Sequence, residues 1–243
     1  MIRIGTRAEV WFSNIVASFA RYVVERTLPE SVPMLMHRDA VTDSFNFAKE
    51  NMKGAYSFLD RFEGLTLSIQ AAARRFPARR NVLEFGVYKA GMINYQARKF
   101  PALNFLGFDS FEGLLEQWSG MAPVGTFGLG GKLPKVRSNV RLVKGWFSEA
   151  APRWKAENPG ADIPLLVHVD CDTYAATVDV LQFCAGYVEH GLILHFDDYF
   201  GFRDWRTGGF KALQEISEQR GWRLTFLSYG TNEVSVLAET SSQ

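Results

Sequence analysis

The chain has only two cysteines in 243 residues, Cys171 and Cys184. Neither has a CxxC neighbour or a nearby histidine pair, so they build neither a disulfide framework nor a zinc site. Two small buried thiols in a reducing cytoplasm is the reading that remains. No run of 18 or more apolar residues occurs, which leaves no membrane-spanning helix. Excess charge is missing too. Twenty-seven Lys+Arg against 26 Asp+Glu leave +1, which excludes a nucleic-acid binder that relies on bulk charge. There is no internal repeat, and the one low-complexity stretch, Gly125–Lys132, reads as a mobile loop. With 47% hydrophobic and 22% charged residues, the composition is that of a globular protein with a sizeable core.

The first 80 residues read as helical. Arg3 and Arg7 before the apolar run Val10–Phe19 imitate a signal peptide, but Glu9 and Asn14 interrupt it. Trp11, Ile15, Phe19 and Tyr22 instead recur at helical spacing, as an amphipathic helix packed on the body or on a second subunit would require. A turn at Pro29–Pro33 and a loop with Asp39, Asp43 and Ser44 follow. Tyr56, Leu59, Phe62, Leu65, Leu67 and Ile69 then form the apolar side of a helix ending near Pro77.

From residue 80 the period changes. Strands are expected at about 81–86, 104–109, 140–144, 164–170 and 191–197, with helices at about 91–99, 148–157, 174–187 and 206–220. A hairpin, about 222–228 and 232–238, closes the chain, its short link forcing an antiparallel pair at the sheet edge. The expected fold is α/β: a doubly wound, mostly parallel seven-stranded sheet with one antiparallel edge strand. Residues 1–79 would form a helical extension and 80–243 the sheet domain.

In such a sheet, ligands bind beyond the carboxyl ends of the strands, where strand order reverses. Four strands here end in acid: Glu84, Asp109, Asp170 with Asp172, and Asp197 with Asp198. Each follows an apolar run, where a carboxylate is costly to desolvate unless a positive or hydrogen-bonding group meets it. Glu84-Phe-Gly86-Val-Tyr88-Lys-Ala-Gly91 is a strand, glycine turn and helix opening that lets a ligand approach the backbone. Asp109 suits a ribose diol. His168-Val-Asp170-Cys-Asp172 and His195-Phe-Asp197-Asp198 concentrate carboxylates, which repel one another unless a hard cation such as Mg²⁺, Mn²⁺ or Ca²⁺ joins them. The two histidines read as satisfied core residues.

Taken in order, Glu84-x-Gly86-Val-Tyr88-x-x-Gly91, Asp109-Ser-Phe-x-Gly113-Leu, Asp170-x-Asp172-x-Tyr174 and Asp197-Asp198-Tyr199 resemble the macrocin-type (TylF-like) O-methyltransferases over about residues 80–238. These are class I enzymes that use S-adenosylmethionine and Mg²⁺ to methylate sugar hydroxyls of natural products. The resemblance implies that Glu84, Gly86 and Tyr88 surround the methionine part of the cofactor, that Asp109 meets its ribose and that Gly91 also belongs to the cofactor site. It places Ser110 and Trp146 near the adenine, gives the metal (Mg²⁺ or Mn²⁺) to Asp170, Asp197 and Asp198, and makes Asp172 the general base. The Gly-rich loop and the amino-terminal region would cover a small sugar-containing substrate, in a cytoplasmic homo-oligomer. Ala90 departs from the family, which often has glycine there.

Three rivals remain. A catechol-type metal-dependent methyltransferase commonly employs a lysine base, for which Lys144 and Lys211 are the nearest candidates. An NAD-dependent oxidoreductase fits the glycine turn and Asp109 but leaves the other aspartates unexplained. A non-catalytic methyltransferase-fold assembly partner would bind no cofactor.

Overall fold

A computed structural model of the chain describes residues 31–118 and 122–240. The expected amphipathic helix at about 7–27 lies outside them. The chain divides into two compact units, Met1–Asp39 and Ala40–Gln243. The sheet and the cavity described below lie in the second. Among the described residues no helix is long and apolar enough to cross a membrane.

The first element among the described residues is not the expected loop but a helix, α1 (Val32–Asn51). Its polar residues find partners without ending it. Ser44 Oγ donates back to the Ala40 carbonyl at 2.7 Å and accepts the Gly201 N–H, while Asp43 takes a two-pronged contact from Arg206. Phe47 on the same helix packs edge-on against Trp205, Phe210 and Phe226.

The next helix, α2 (Arg61–Arg75), starts later than the apolar spacing implies, because Asp60 caps it by accepting the Glu63 N–H. Tyr56 therefore falls in a two-residue strand, β1 (Tyr56–Ser57). Leu59 lies in the connection, 94% exposed. Leu65 and Ile69 do face the core; Leu67 does not.

Strands and helices then alternate: β2 (Asn81–Phe85), α3 (Gly91–Lys99), β3 (Asn104–Asp109), β4 (Val140–Lys144), α4 (Phe147–Glu157), β5 (Leu166–Val169), α5 (Tyr174–Val188), β6 (Leu192–Phe196), a 3₁₀ turn at Trp205–Thr207, α6 (Gly209–Arg220), β7 (Trp222–Tyr229) and β8 (Val234–Thr240). They form one eight-stranded sheet in the order β1-β7-β8-β6-β5-β2-β3-β4. The count is eight rather than seven because β1 adds a short parallel pair to β7. The reversed strand is β8, and it is not at the edge: it lies between β6 and β7, antiparallel to both.

Strands β5 and β6 are buried throughout and β2 nearly so, which explains their unbroken apolar runs. Phe85 and Phe108 stack at 4.6 Å, with Phe147 and Phe183 edge-on to Phe85. Burying side chains of this size is worth about 1.5–3 kcal/mol each.

Strand order reverses between β2 and β5, so the turn after β2 opens into the crevice there. That turn needs glycine. Gly86 has φ +95°, and a Cβ on it would stand 1.6 Å from the Asp170 carbonyl oxygen at the end of β5. Gly91, at the start of α3, has open space around the same position. Gly86→Ala is therefore expected to cost at least about 3 kcal/mol in urea unfolding. Gly91→Ala should hold stability or raise it by up to about 1 kcal/mol. Equal effects would contradict this account of the turn.

Candidate active site

A cavity of about 730 Å³ opens at this reversal point. Its walls include Glu84, Gly86, Tyr88, Gly91, Asp109, Ser110 and Trp146, the residues assigned above to a cofactor. Asp170, Asp172, Asp197 and Asp198 line the same cavity.

Asp109 has a duty that the sequence did not announce. Its Oδ2 accepts the N–H groups of Val87 (2.8 Å) and Tyr88 (2.7 Å), and its Oδ1 accepts that of Phe111 (2.6 Å). It thus clamps the turn whose residues Tyr88 and Ala90 take left-handed backbone angles. Ser110 Oγ accepts the Glu112 N–H, and Trp146 sits as the residue capping α4 without a side-chain cap bond.

The acids separate into two groups. Asp170, Asp172 and Asp198 each offer a carboxylate oxygen within 4.8 Å of the others. Asp197 is not brought into that trio: the chain leaves β6 at Phe196, and Asp197 groups with His168 and His195 while Asp198 joins Asp170 and Asp172. Its Oδ2 pairs with Arg61 at 2.8 Å, and Arg61 also reaches Asp170 Oδ2 at 3.2 Å. Arg61, in the first turn of α2, was invisible in the sequence among many arginines. Only the fold brings it to these strand ends.

Charge crowding shows in the protonation equilibria. Burial, then the charge of Asp197, pushes Asp170 well above the usual carboxylate range. Burial, then Asp197 and Asp172, does the same to Asp198. Asp172 is pushed up to about 7 by burial and by Asp170. It lies beside Asp198 and is held at φ +61°, a sparsely populated region for a residue with a Cβ. Burial raises Asp197 as well, but His168 and Arg61 outweigh it and hold that carboxyl below its usual value. Three oxygens that must share protons in the absence of a cation are the donor set a hard divalent ion requires, so the trio fits Mg²⁺ or Mn²⁺.

The histidines are more engaged than satisfied core residues. His168 Nδ1 meets Glu84 Oε2 at 3.1 Å. Burial pulls His168 down, yet Asp197 and Glu84 overcome it and lift it to about 10. Burial keeps Glu84 above its usual value despite that partner. His195, packed by Ser68 and Ser235, is driven by burial and by His168 down to about 3 and stays neutral.

The Gly-rich loop is tied down rather than free. Leu114 donates to the Thr126 carbonyl and accepts the Gly125 N–H, Leu129 and Gly131 donate to the Phe111 carbonyl, and Lys144 donates to that of Gly131. Only Phe127 of this loop lines the cavity, edge-on to Tyr88 at 5.4 Å. Lys144 and Lys211, paired with Glu112 and Glu215, do not line it.

No family model matches the sequence, and no curated protein does. Solved structures do. The chain is similar to CalS11, a calicheamicin methyltransferase, at 21% identity and TM-score 0.56 over 86% of this chain and 94% of that one. It is similar to the O-methyltransferase NovP at 18% identity and TM-score 0.58 over 74% and 80%. Likeness at such identities establishes the fold: a mixed α/β sheet similar to that of class I methyltransferases.

The protonation pattern gives a signed expectation for the metal-free protein. Asp172 and His168 both bind protons more tightly folded than unfolded. Their stabilisation is complete below the ordinary values of 3.8 and 6.5 and is lost as pH rises through about 7 and about 10. His195 acts in the opposite sense, but only below 6.5. From pH 6.5 to 8 the thermal midpoint should fall, and millimolar Mg²⁺ should restore more of it at pH 8. A midpoint that rises across this window would overturn the reading.

Proposed function

We propose that the protein is an S-adenosylmethionine-dependent O-methyltransferase acting on a sugar hydroxyl of a small molecule. One observation carries the reading: the glycine-turn residues and the aspartates line one cavity at the strand-order reversal. The described relatives support it. One solved structure similar to this chain, at 21% identity and TM-score 0.50, is named a TDP-rhamnose 3'-O-methyltransferase of calicheamicin biosynthesis.

In this reading the backbone of Gly86 and Tyr88, with Glu84, Gly91 and Asp109, holds the methionine and ribose parts of the cofactor. Trp146 and Ser110 border its adenine. The resemblance gives the cation to Asp170, Asp197 and Asp198. Asp170 and Asp198 already converge, with Asp172 beside them, whereas Asp197 is held by Arg61. When bound, a dication lowers the pKa of a substrate hydroxyl and fixes its oxygen. Asp172, with a proton affinity near neutrality, takes the hydroxyl proton. The walls supply orientation by holding the hydroxyl oxygen in line with the methyl carbon and its sulfur, and they exclude water. When bound, S-adenosylmethionine would supply the methyl group to that oxygen and leave as S-adenosylhomocysteine.

The catechol-type rival loses its two lysine candidates, since neither Lys144 nor Lys211 lines the cavity. Transfer of labelled methyl from S-adenosylmethionine to a panel of glycosides and nucleotide sugars tests the proposal. Asp172→Asn should lower turnover by about 10²–10⁴-fold while S-adenosylhomocysteine and Mg²⁺ bind nearly as before. Lost Mg²⁺ binding would move Asp172 from base to ligand. Undiminished turnover would remove it from the mechanism.

A further inference from the structure

One row of polar residues crosses the sheet beneath the acid cluster. Glu84 on β2 registers with His168 on β5, His168 with His195 on β6, and His195 with Ser235 on β8. All four are nearly or fully inaccessible. A polar row in a sheet core costs folding free energy unless each group is matched. The matching here is lopsided. His168 gives its Nδ1 side to Glu84 at 3.1 Å; His195 gives its Nδ1 side to Ser235 Oγ at 2.6 Å and Ser68 Oγ at 3.1 Å. The opposite nitrogens make no hydrogen bond. His168 Nε2, His195 Nε2 and Asp197 Oδ1 are all buried without a hydrogen-bond partner. The shortest approach between His168 Nε2 and Asp197 Oδ1, 3.7 Å, is too long for a hydrogen bond.

These three side chains each offer a ligand atom within 4.8 Å of the others. With the ring protons on Nδ1, where the acceptors are, and an ion in place of the proton that His168 otherwise holds toward Asp197, three lone pairs would face one another. A single water can donate to two of them; a cation satisfies all three. Histidine ligands characteristically give their other N–H to a carboxylate or another acceptor, which fixes the tautomer and aims the free nitrogen. Glu84 and Ser235 stand in those places. Metal–nitrogen bonds of about 2.0–2.1 Å would require each ligand atom to close by somewhat under 1 Å.

We propose that His168, His195 and Asp197 form a buried site for a divalent first-row transition ion of the zinc or iron(II) class, separate from the carboxylate trio. Two nitrogens and one oxygen select borderline ions, whereas the all-oxygen trio of Asp170, Asp172 and Asp198 selects hard ones. Asp197 stands between them, with Oδ2 on Arg61 beside Asp170 and Oδ1 toward the histidines. The site would tie β2, β5 and the end of β6 together under the cavity, and it holds whether or not the cavity transfers methyl groups.

The test uses the full chain, purified without a histidine tag or chelator and dialysed against millimolar Mg²⁺. Elemental analysis should find about one equivalent of a transition ion per chain. After stripping and reloading with Co²⁺, visible ligand-field absorption should appear and should resist Mg²⁺. His195→Gln should abolish that absorption and Asp172→Asn should keep it. Should His195→Gln not fold, Ser235→Ala reads the same site through its supporting hydroxyl, with Co²⁺ affinity down about 10–100-fold. No retained ion together with no Co²⁺ absorption overturns the proposal, as does Co²⁺ absorption indifferent to both variants. S-adenosylhomocysteine binding by the same samples is independent, so this inference and the methyltransferase reading fail separately.

Discussion

Five carboxylates, Glu84, Asp170, Asp172, Asp197 and Asp198, crowd the carboxyl ends of three adjacent buried strands, and much of the region is arranged around balancing them. Arg61 bridges Asp170 and Asp197, and His168 lies between Glu84 and Asp197. Positive groups thus alternate with negative ones from Glu84 to Asp170. The balance is incomplete at Asp170, Asp172 and Asp198, whose proton affinities stay raised. A stable protein tolerates such a deficit where a cation or a reaction makes use of it.

The scaffold beneath is conservative in its physics. Buried parallel strands bring the acids to one rim, and the Gly86 turn passes so close to the end of β5 that the two halves of the site are fixed to each other by backbone contact. Asp109 locks that turn from the third strand. The glycine turn and the acid cluster therefore rest on the same few residues at the β2–β5 seam, and a change to one half is transmitted to the other.

The alternation of strands and helices after residue 80 was legible because buried strands read as apolar runs and glycine turns punctuate them. That acids gather at the ends of adjacent parallel strands was legible too, but not their grouping: the resemblance joined Asp197 to Asp170 and Asp198, whereas Asp172 stands there and Asp197 lies with Arg61 and the histidines. Tertiary pairing was not legible. Nothing in the sequence ranks Arg61 above its neighbours, or shows that His168 and His195 fall opposite one another in the sheet. The order of the last strands was hidden for a related reason: a hairpin fixes that two strands pair but not which of them meets β6. The helix α1 escaped because Asp43 and Ser44, typical of loops, are satisfied within it by Arg206 and Gly201.

The central claim is that the glycine-turn wall binds the methyl donor beside a cation site. Calorimetric titration of the metal-stripped protein with S-adenosylhomocysteine, repeated with Mg²⁺ present, addresses it most directly. The account predicts micromolar binding of the nucleoside and a separate Mg²⁺ site that neither abolishes it nor replaces it. Absence of binding in both conditions would contradict the account and leave the cavity without its proposed cofactor.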